Sequence, residues 1–213
     1  MTGVQTCALP ISASCASDMS VKRIRFLLNH LRTSKDYNSL IMLEYLSGKS
    51  EVTVSMVCLG NICRSPMAAA ILFNRRSQIS SPKINVDSSG TGSWHVGERP
   101  NPHSKQTWEK FGLKYDHTAK KFSKNDYYSS DLILVMDSSN FSNVMSLAND
   151  DVKHKVFYLR QFDPKLRDII RESKDYKLLE VPDPYSLPIG HFEAVYEMID
   201  QAISGLLSEL SSI

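Results

Sequence analysis

The sequence predicts an α/β fold, a doubly wound four-stranded parallel sheet with helices on both faces. Three observations carry this. Short β-branched or apolar runs alternate with helical patterns through residues 51–213. The run Leu132-Ile133-Leu134-Val135-Met136 is apolar without a break, as a strand covered on both faces requires. The last stretch places Phe192, Val195, Tyr196, Ile199, Ile203, Leu206, Leu207 and Leu210 at i, i+3, i+4, i+7 spacing, one buried helical face.

Taken in order, residues 52–57 (VTVSMV) form the first strand, rich in β-branched residues. A loop follows with Gly60 and Asn61, both tolerant of left-handed backbone. Ser65-Pro66 then reads as a helix N-cap with proline at the first helical position, and Met67, Ala70 and Ile71 start an apolar stripe. A second strand covers 84–88, followed by a loop with Gly90, Gly92 and Gly97 and a helix over 104–111. Tyr127-Tyr128 stands at a helix start, 132–136 is the third strand, 138–148 a helix and 156–159 the fourth strand. Right-handed crossovers join such units, and ligands bind at the carboxyl ends of the strands. The loop after the first strand leaves from that edge.

The chain has 213 residues, 42% of them hydrophobic, enough for one domain with a sizeable core. Lys and Arg number 25 against 23 Asp and Glu, so no broad field points to nucleic acid or to a membrane surface. Cysteines occur at 7, 15, 58 and 63 and nowhere later, which is not a disulfide framework. No apolar stretch is long enough to span a bilayer, and Lys22, Arg23 and Arg25 precede only the brief Phe26-Leu27-Leu28, too little for a secretory signal. A reducing, cytoplasmic setting is the expectation.

Residues 1–50 read as an N-terminal extension and 51–213 as the domain. Residues 1–11 (MTGVQTCALPI) resemble a translated sequencing-library adapter, which leaves Met19 as an alternative start. Apolar residues at helical spacing over 21–46 fit either a frayed helix or a targeting leader; Asp18, Asp36 and Glu44 count against the leader.

The chemistry concentrates in Cys58-Leu59-Gly60-Asn61-Ile62-Cys63-Arg64-Ser65. A loop of this length between strand and helix can turn its N–H groups inward, and the helix adds unpaired N–H groups and its positive dipole end. The result is an oxyanion cradle sized for a phosphoryl group. Arg64 offers a planar bidentate fork to two phosphate oxygens. The same surroundings favour the thiolate of Cys58, a nucleophile for covalent catalysis. A buried structural cysteine is the competing reading, and the strand before it, Gly60, Asn61 and Ser65-Pro66 argue against it.

Val57 to Pro66 (VCLGNICRSP) resembles, without departure, the signature loop of the low molecular weight protein tyrosine phosphatase family. The resemblance continues through Val86-Asp87-Ser88, Trp94-His95, Asp116-His117, Met136-Asp137-Ser138-Ser139-Asn140, Asp183-Pro184-Tyr185 and Phe192-Glu193-Ala194-Val195-Tyr196. It implies the phosphotyrosine phosphatase I-like version of the predicted sheet. It further implies hydrolysis of phosphotyrosine proteins or aryl phosphates by a monomer or weak dimer, with no cofactor. No metal is expected, because Arg64 and backbone dipoles supply the positive charge.

A general acid is also needed. Asp163-Pro164 and Asp183-Pro184 are both turn-forming, and their sequence barely separates them. The resemblance assigns the acid to Asp183 and leaves Asp163 as a turn or helix cap. It makes the 58–65 loop, with Leu59, Gly60, Asn61, Ile62, Cys63 and Ser65, the phosphate-binding segment. It assigns Asn61, Ser65, Ser88 and His117 to support of that loop and Trp94 and Tyr185 to the aromatic walls. It also implies a reversible Cys58–Cys63 disulfide that guards the nucleophile.

The chain departs from the family at Ala69, where glutamate is usual, at Asn101, where aspartate is common, and at Ser186-Leu187, where Tyr-Gly is usual. None removes a catalytic group, and the last alters the cleft rim. Arsenate reductases on this fold use further downstream cysteines, which are missing after Cys63. A protein-arginine phosphatase would favour threonine at Ile62. An inactive phosphotyrosine-binding module would lack the nucleophile or the acid.

Overall fold

The computed structural model describes residues 42–213. The expectations for residues 1–11, Met19 and the 21–41 part of the helical pattern lie outside the described residues.

Four parallel strands form one sheet in the order β2-β1-β3-β4. They are β1 (Glu51–Cys58), β2 (Lys83–Gly90), β3 (Leu132–Val135) and β4 (Val156–Tyr158). Between and after them come α1 (Arg64–Arg75), α2 (Pro102–Lys110), the short α3 (Asp126–Ser129), α4 (Ser138–Leu147) and α5 (Ile189–Leu210). Register pairs Cys58 with Gly90 and Val57 with Val135, so the carboxyl ends of the three strands lie together.

The two-residue period of a strand sends alternate side chains to opposite faces. Val52, Val54, Met56, Leu132 and Leu134 face one core with the buried sides of α1, α2 and α5. Val57, Ile133, Val135, Val156 and Tyr158 face a second core with Val144 of α4 and Tyr127 of α3. The uninterrupted apolar run at β3 is therefore a strand buried on both sides.

Three local expectations change. Leu159 does not extend β4 but starts a short 3-10 turn, Leu159–Phe162, because Gln161 folds back to accept from Tyr158 N at 2.8 Å. The first core reaches back before β1: Leu43 and Leu46, in residues the sequence assigned to an extension, are 1% and 0% exposed. Helix α1 starts two residues early, at Arg64, with Cys63 at its N-cap position. Ser65 is thus inside the helix, and its hydroxyl goes elsewhere. Among the described residues no helix is long and apolar enough to cross a membrane.

Candidate active site

The loop from Cys58 to Ser65 joins the carboxyl end of β1 to α1, and two neighbouring segments fix its shape. The chain after β2 runs beneath it: Thr91 N donates to Cys58 O at 2.9 Å and Gly92 N to Leu59 O at 2.8 Å. Asn101 N donates to Ile62 O at 2.9 Å, tying the loop to the start of α2. Gly90 is required at the crossing, since a Cβ there would stand 2.8 Å from Leu59 O and 3.0 Å from Asn61 N.

Asn61 is the hub. Its φ of 57° is the only positive value at a non-glycine among the described residues, as the sequence predicted for Asn61. Its Nδ2 donates to Ser65 Oγ at 2.9 Å and to Ser88 Oγ at 3.1 Å, and its Oδ1 accepts from Lys120 N at 2.9 Å. His117 Nε2–H donates to Asn61 O at 2.7 Å. Burial lowers the pKa of His117, against the pull of the Asn61 carbonyl and of Asp116 and Asp87, so a neutral ring carries this bond. Ser88 and His117 are both buried, and both hold Asn61.

Cys58 Sγ lies 3.0 Å from Ser65 Oγ and accepts from Asn61 N at 3.3 Å. Ser65 Oγ accepts from Asn61 Nδ2, and its own hydrogen has two acceptors within reach, the sulfur at 3.0 Å and Ser89 O at 3.4 Å. Ser65 was expected to cap the helix; instead it is the second helical residue, and its hydroxyl meets the sulfur. Cys63 is buried and its thiol pKa is raised, chiefly by burial and then by Cys58 and Asp183, with Arg64 opposing. Both cysteines are free.

Arg64 is 2% exposed. Its Nη1 donates to Asp137 Oδ2 at 2.6 Å and to Val181 O at 3.1 Å, and its Nη2 donates to Asp183 Oδ2 at 2.5 Å. Burial alone would depress its pKa, but Cys58, Asp183 and Asp137 outweigh burial and raise it. Asp183 Oδ1 also accepts from Tyr185 N at 3.2 Å, an Asx turn that sets the direction of the loop.

One cavity is lined by Cys58, Leu59, Gly60, Ile62, Cys63, Arg64, Trp94, His95, Asp183 and Tyr185. It therefore brings together the expected nucleophile, arginine, acid and both aromatic residues. Asn61, Ser65, Ser88 and His117 are buried and are not among its lining residues. The Trp94 ring lies over Gly92, where a Cβ would come within 1.9 Å of it. Asp163 is elsewhere: it is buried in a turn, accepting from Lys165 N at 2.9 Å and from Arg160 Nη2 at 3.4 Å. Asn101 keeps the cap that an aspartate would make, its Oδ1 accepting from His103 N at 2.9 Å and Ser104 N at 3.4 Å.

Sequence reasoning assigned no part to Asp137 or His95. Asp137 was visible as an N-cap directly after an apolar strand at the same sheet edge, which is a usable signal. His95 had none of its own, because its importance depends on Glu98 and Tyr185 meeting it.

A doubly wound parallel-sheet protein with a buried thiol and a buried arginine lining one cavity at the carboxyl edge of the strands is the class that fold and geometry define. The chain belongs to the low molecular weight phosphotyrosine protein phosphatase family, whose model matches residues 53–212. It is 36% identical over 157 residues to the low molecular weight protein-tyrosine-phosphatase PtpA of Staphylococcus haemolyticus, covering 73% of this chain and 92% of that one. Among solved structures it is similar to a protein tyrosine phosphatase from Entamoeba histolytica, with TM-score 0.66 and 26% identity over 76% of this chain and 97% of that chain. A Drosophila arginine phosphatase matches with TM-score 0.63 and 31% identity over 73% of this chain and 95% of that chain.

Proposed function

We propose that the chain hydrolyses phosphotyrosine in proteins, and small aryl phosphates, through a cysteinyl-phosphate intermediate. The observation that carries this reading is the shared cavity: Cys58, Arg64 and Asp183 line it together with Trp94 and Tyr185.

The Cys58 thiolate attacks phosphorus in line, forming the S–P bond as the bond to the phenolic oxygen breaks. Asp183 gives its proton to that oxygen, so tyrosine leaves neutral. Water then attacks the cysteinyl-phosphate, Asp183 takes its proton, and inorganic phosphate and the thiolate are released. The loop amides and Arg64 hold the equatorial oxygens throughout, and this electrostatic hold supplies most of the barrier reduction. Ser65 Oγ and Asn61 N stabilise the thiolate as attacker and as leaving group. Ser88 and His117 act through Asn61, fixing the loop. Trp94 and Tyr185 flank the phenyl ring. Arg64 and the backbone dipoles provide the positive charge, so the mechanism needs no cofactor. A monomer or weak dimer in the cytoplasm, with no nucleic-acid or membrane partner, completes the reading.

The similarity to an arginine phosphatase favours a second substrate, a phosphorylated arginine. Ile62, an apolar wall of the cavity, argues for an aryl group instead.

The test is turnover of p-nitrophenyl phosphate, a phosphotyrosyl peptide and a phosphoarginyl peptide by wild type, Cys58→Ser and Asp183→Asn. Cys58→Ser is expected to be inactive, and Asp183→Asn to lose about 10²–10³-fold in kcat, more for poorer leaving groups. Turnover surviving in Cys58→Ser would sink the mechanism. Faster turnover of the phosphoarginyl peptide would move the substrate class.

A further inference from the structure

One polar group on the cavity wall takes no part in the steps above. His95 lines the cavity between Gly60 and Tyr185, and its side chain is 24% exposed. Its Nδ1 lies 2.7 Å from Glu98 Oε2. An ionised carboxylate only accepts, so Nδ1 carries the hydrogen, and the tautomer this bond selects has its lone pair on Nε2.

The ring is held from several sides. Glu98 N donates to His95 O at 2.9 Å, closing the turn that brings the two side chains together. That turn is itself pinned, with Gly97 N donating to Ala119 O at 2.8 Å and Ala119 N donating to Glu98 O at 2.9 Å. The ring edge rests on Gly60, where a Cβ would be 2.9 Å from His95 Cδ2 and 3.7 Å from Nε2. Its centroid is 5.9 Å from that of Tyr185. The ring thus stands against Gly60 on the cavity wall that it shares with Tyr185.

The rest of the mouth is chiefly apolar. Leu59, Trp94, Val96, Tyr185 and Leu187 are all exposed large hydrophobic residues of the loops that line or adjoin the cavity. A peptide drawn over such a rim carries its main-chain N–H groups out of water, and an unpaired one is costly.

We propose that His95, oriented by Glu98, is a specificity-determining residue whose Nε2 accepts a hydrogen bond from a main-chain N–H adjoining the phosphotyrosine of a peptide substrate. This rests on the phosphatase reading above and narrows it to peptides over isolated aryl phosphates. Glu98 is a positioning residue, acting only through the ring.

The test uses a phosphotyrosyl peptide and two analogues, in which each main-chain N–H beside the phosphotyrosine is replaced in turn by an ester oxygen. Steady-state rates are measured at about pH 8, where an imidazole is neutral. Wild type is expected to favour the amide over one of the two esters by about fivefold in kcat/KM, carried by KM, the size of one neutral hydrogen bond. His95→Leu is expected to bring that ratio to about one, and Glu98→Gln, which still offers an acceptor to Nδ1, to retain it. An equal ratio in wild type and His95→Leu would leave His95 a prop for Gly60 and overturn the proposal, as would equal rates on amide and esters in wild type. If wild type turns over none of the three while folded, the phosphatase reading itself has failed, and this proposal with it.

Discussion

Arg64 Nη2 donates to Asp183 Oδ2 at 2.5 Å, so the arginine and the carboxylate that are expected to serve one phosphoryl group are bonded to each other. Nη1 is meanwhile held by Asp137 at 2.6 Å. The guanidinium is thus shared between two carboxylates, with Val181 O a further acceptor on Nη1. In the proposed reaction an entering phosphate takes over Nη2 and frees Asp183 toward the leaving oxygen, while Asp137 stays on Nη1.

That division of labour is open to mutation. Asp137 Oδ1 also caps α4, accepting from Asn140 N at 2.7 Å. Asp137→Asn retains a capping oxygen but loses the charge opposite Arg64. It is expected to lower kcat on p-nitrophenyl phosphate by about tenfold while circular dichroism stays unchanged. A kcat equal to wild type would show that Asp137 does not position the arginine.

Gly90 offers a second test, one of backbone placement. Gly90→Ala puts a methyl group 2.8 Å from Leu59 O, and the loop must shift to admit it. A displacement near one ångström at the reacting centre costs about a hundredfold in kcat/KM. The expected result is that loss, together with a lower melting temperature. Full activity would mean the crossing can widen without disturbing the cradle.

The third prediction concerns stability and pH. Burial pushes the Glu209 carboxyl up to about 7 from 4.5, with Arg167 opposing at 4.0 Å. A raised carboxyl means that the folded protein holds this proton more tightly than the unfolded chain. Stability from this group is therefore present at acid pH, falls as pH rises from the unfolded value to about 7, and is level above that. Glu209→Gln mimics the protonated form. It should melt several degrees above wild type at about pH 8 and within about a degree of it at about pH 4. Identical melting of the two proteins at both values would contradict the assignment.

Much of the architecture was legible because it is written in local patterns. The apolar run at 132–136 and the period of 192–210 declare burial directly, and residues 58–66 place a flexible loop between a strand and a helix. The conformation of Asn61 was readable for the same reason. What could not be read depended on contacts far apart in the chain. Ser65 looks like a cap from its neighbours, but its hydroxyl meets the sulfur seven residues back and Ser89 O. Gly90 looks like any loop glycine until β2 is seen passing under the cradle. Asp163 and Asp183 share a dipeptide, and only the fold buries one in a turn and sets the other beside Arg64. Leu43 and Leu46 fall in the helical apolar pattern over 21–46, which fits a frayed helix or a leader, and only their contacts mark them as core.

Those two leucines have a consequence for anyone shortening the gene. A chain trimmed neatly to the start of β1 at Glu51 would lose both plugs from beneath the sheet. It would also lose Tyr45, whose hydroxyl donates to Asp131 O at 2.9 Å, and Lys49, whose ammonium meets the Asp131 carboxylate at 2.5 Å. The cut belongs upstream of Met42, and a recombinant product begun at the strand would be judged unstable for a fault of cloning.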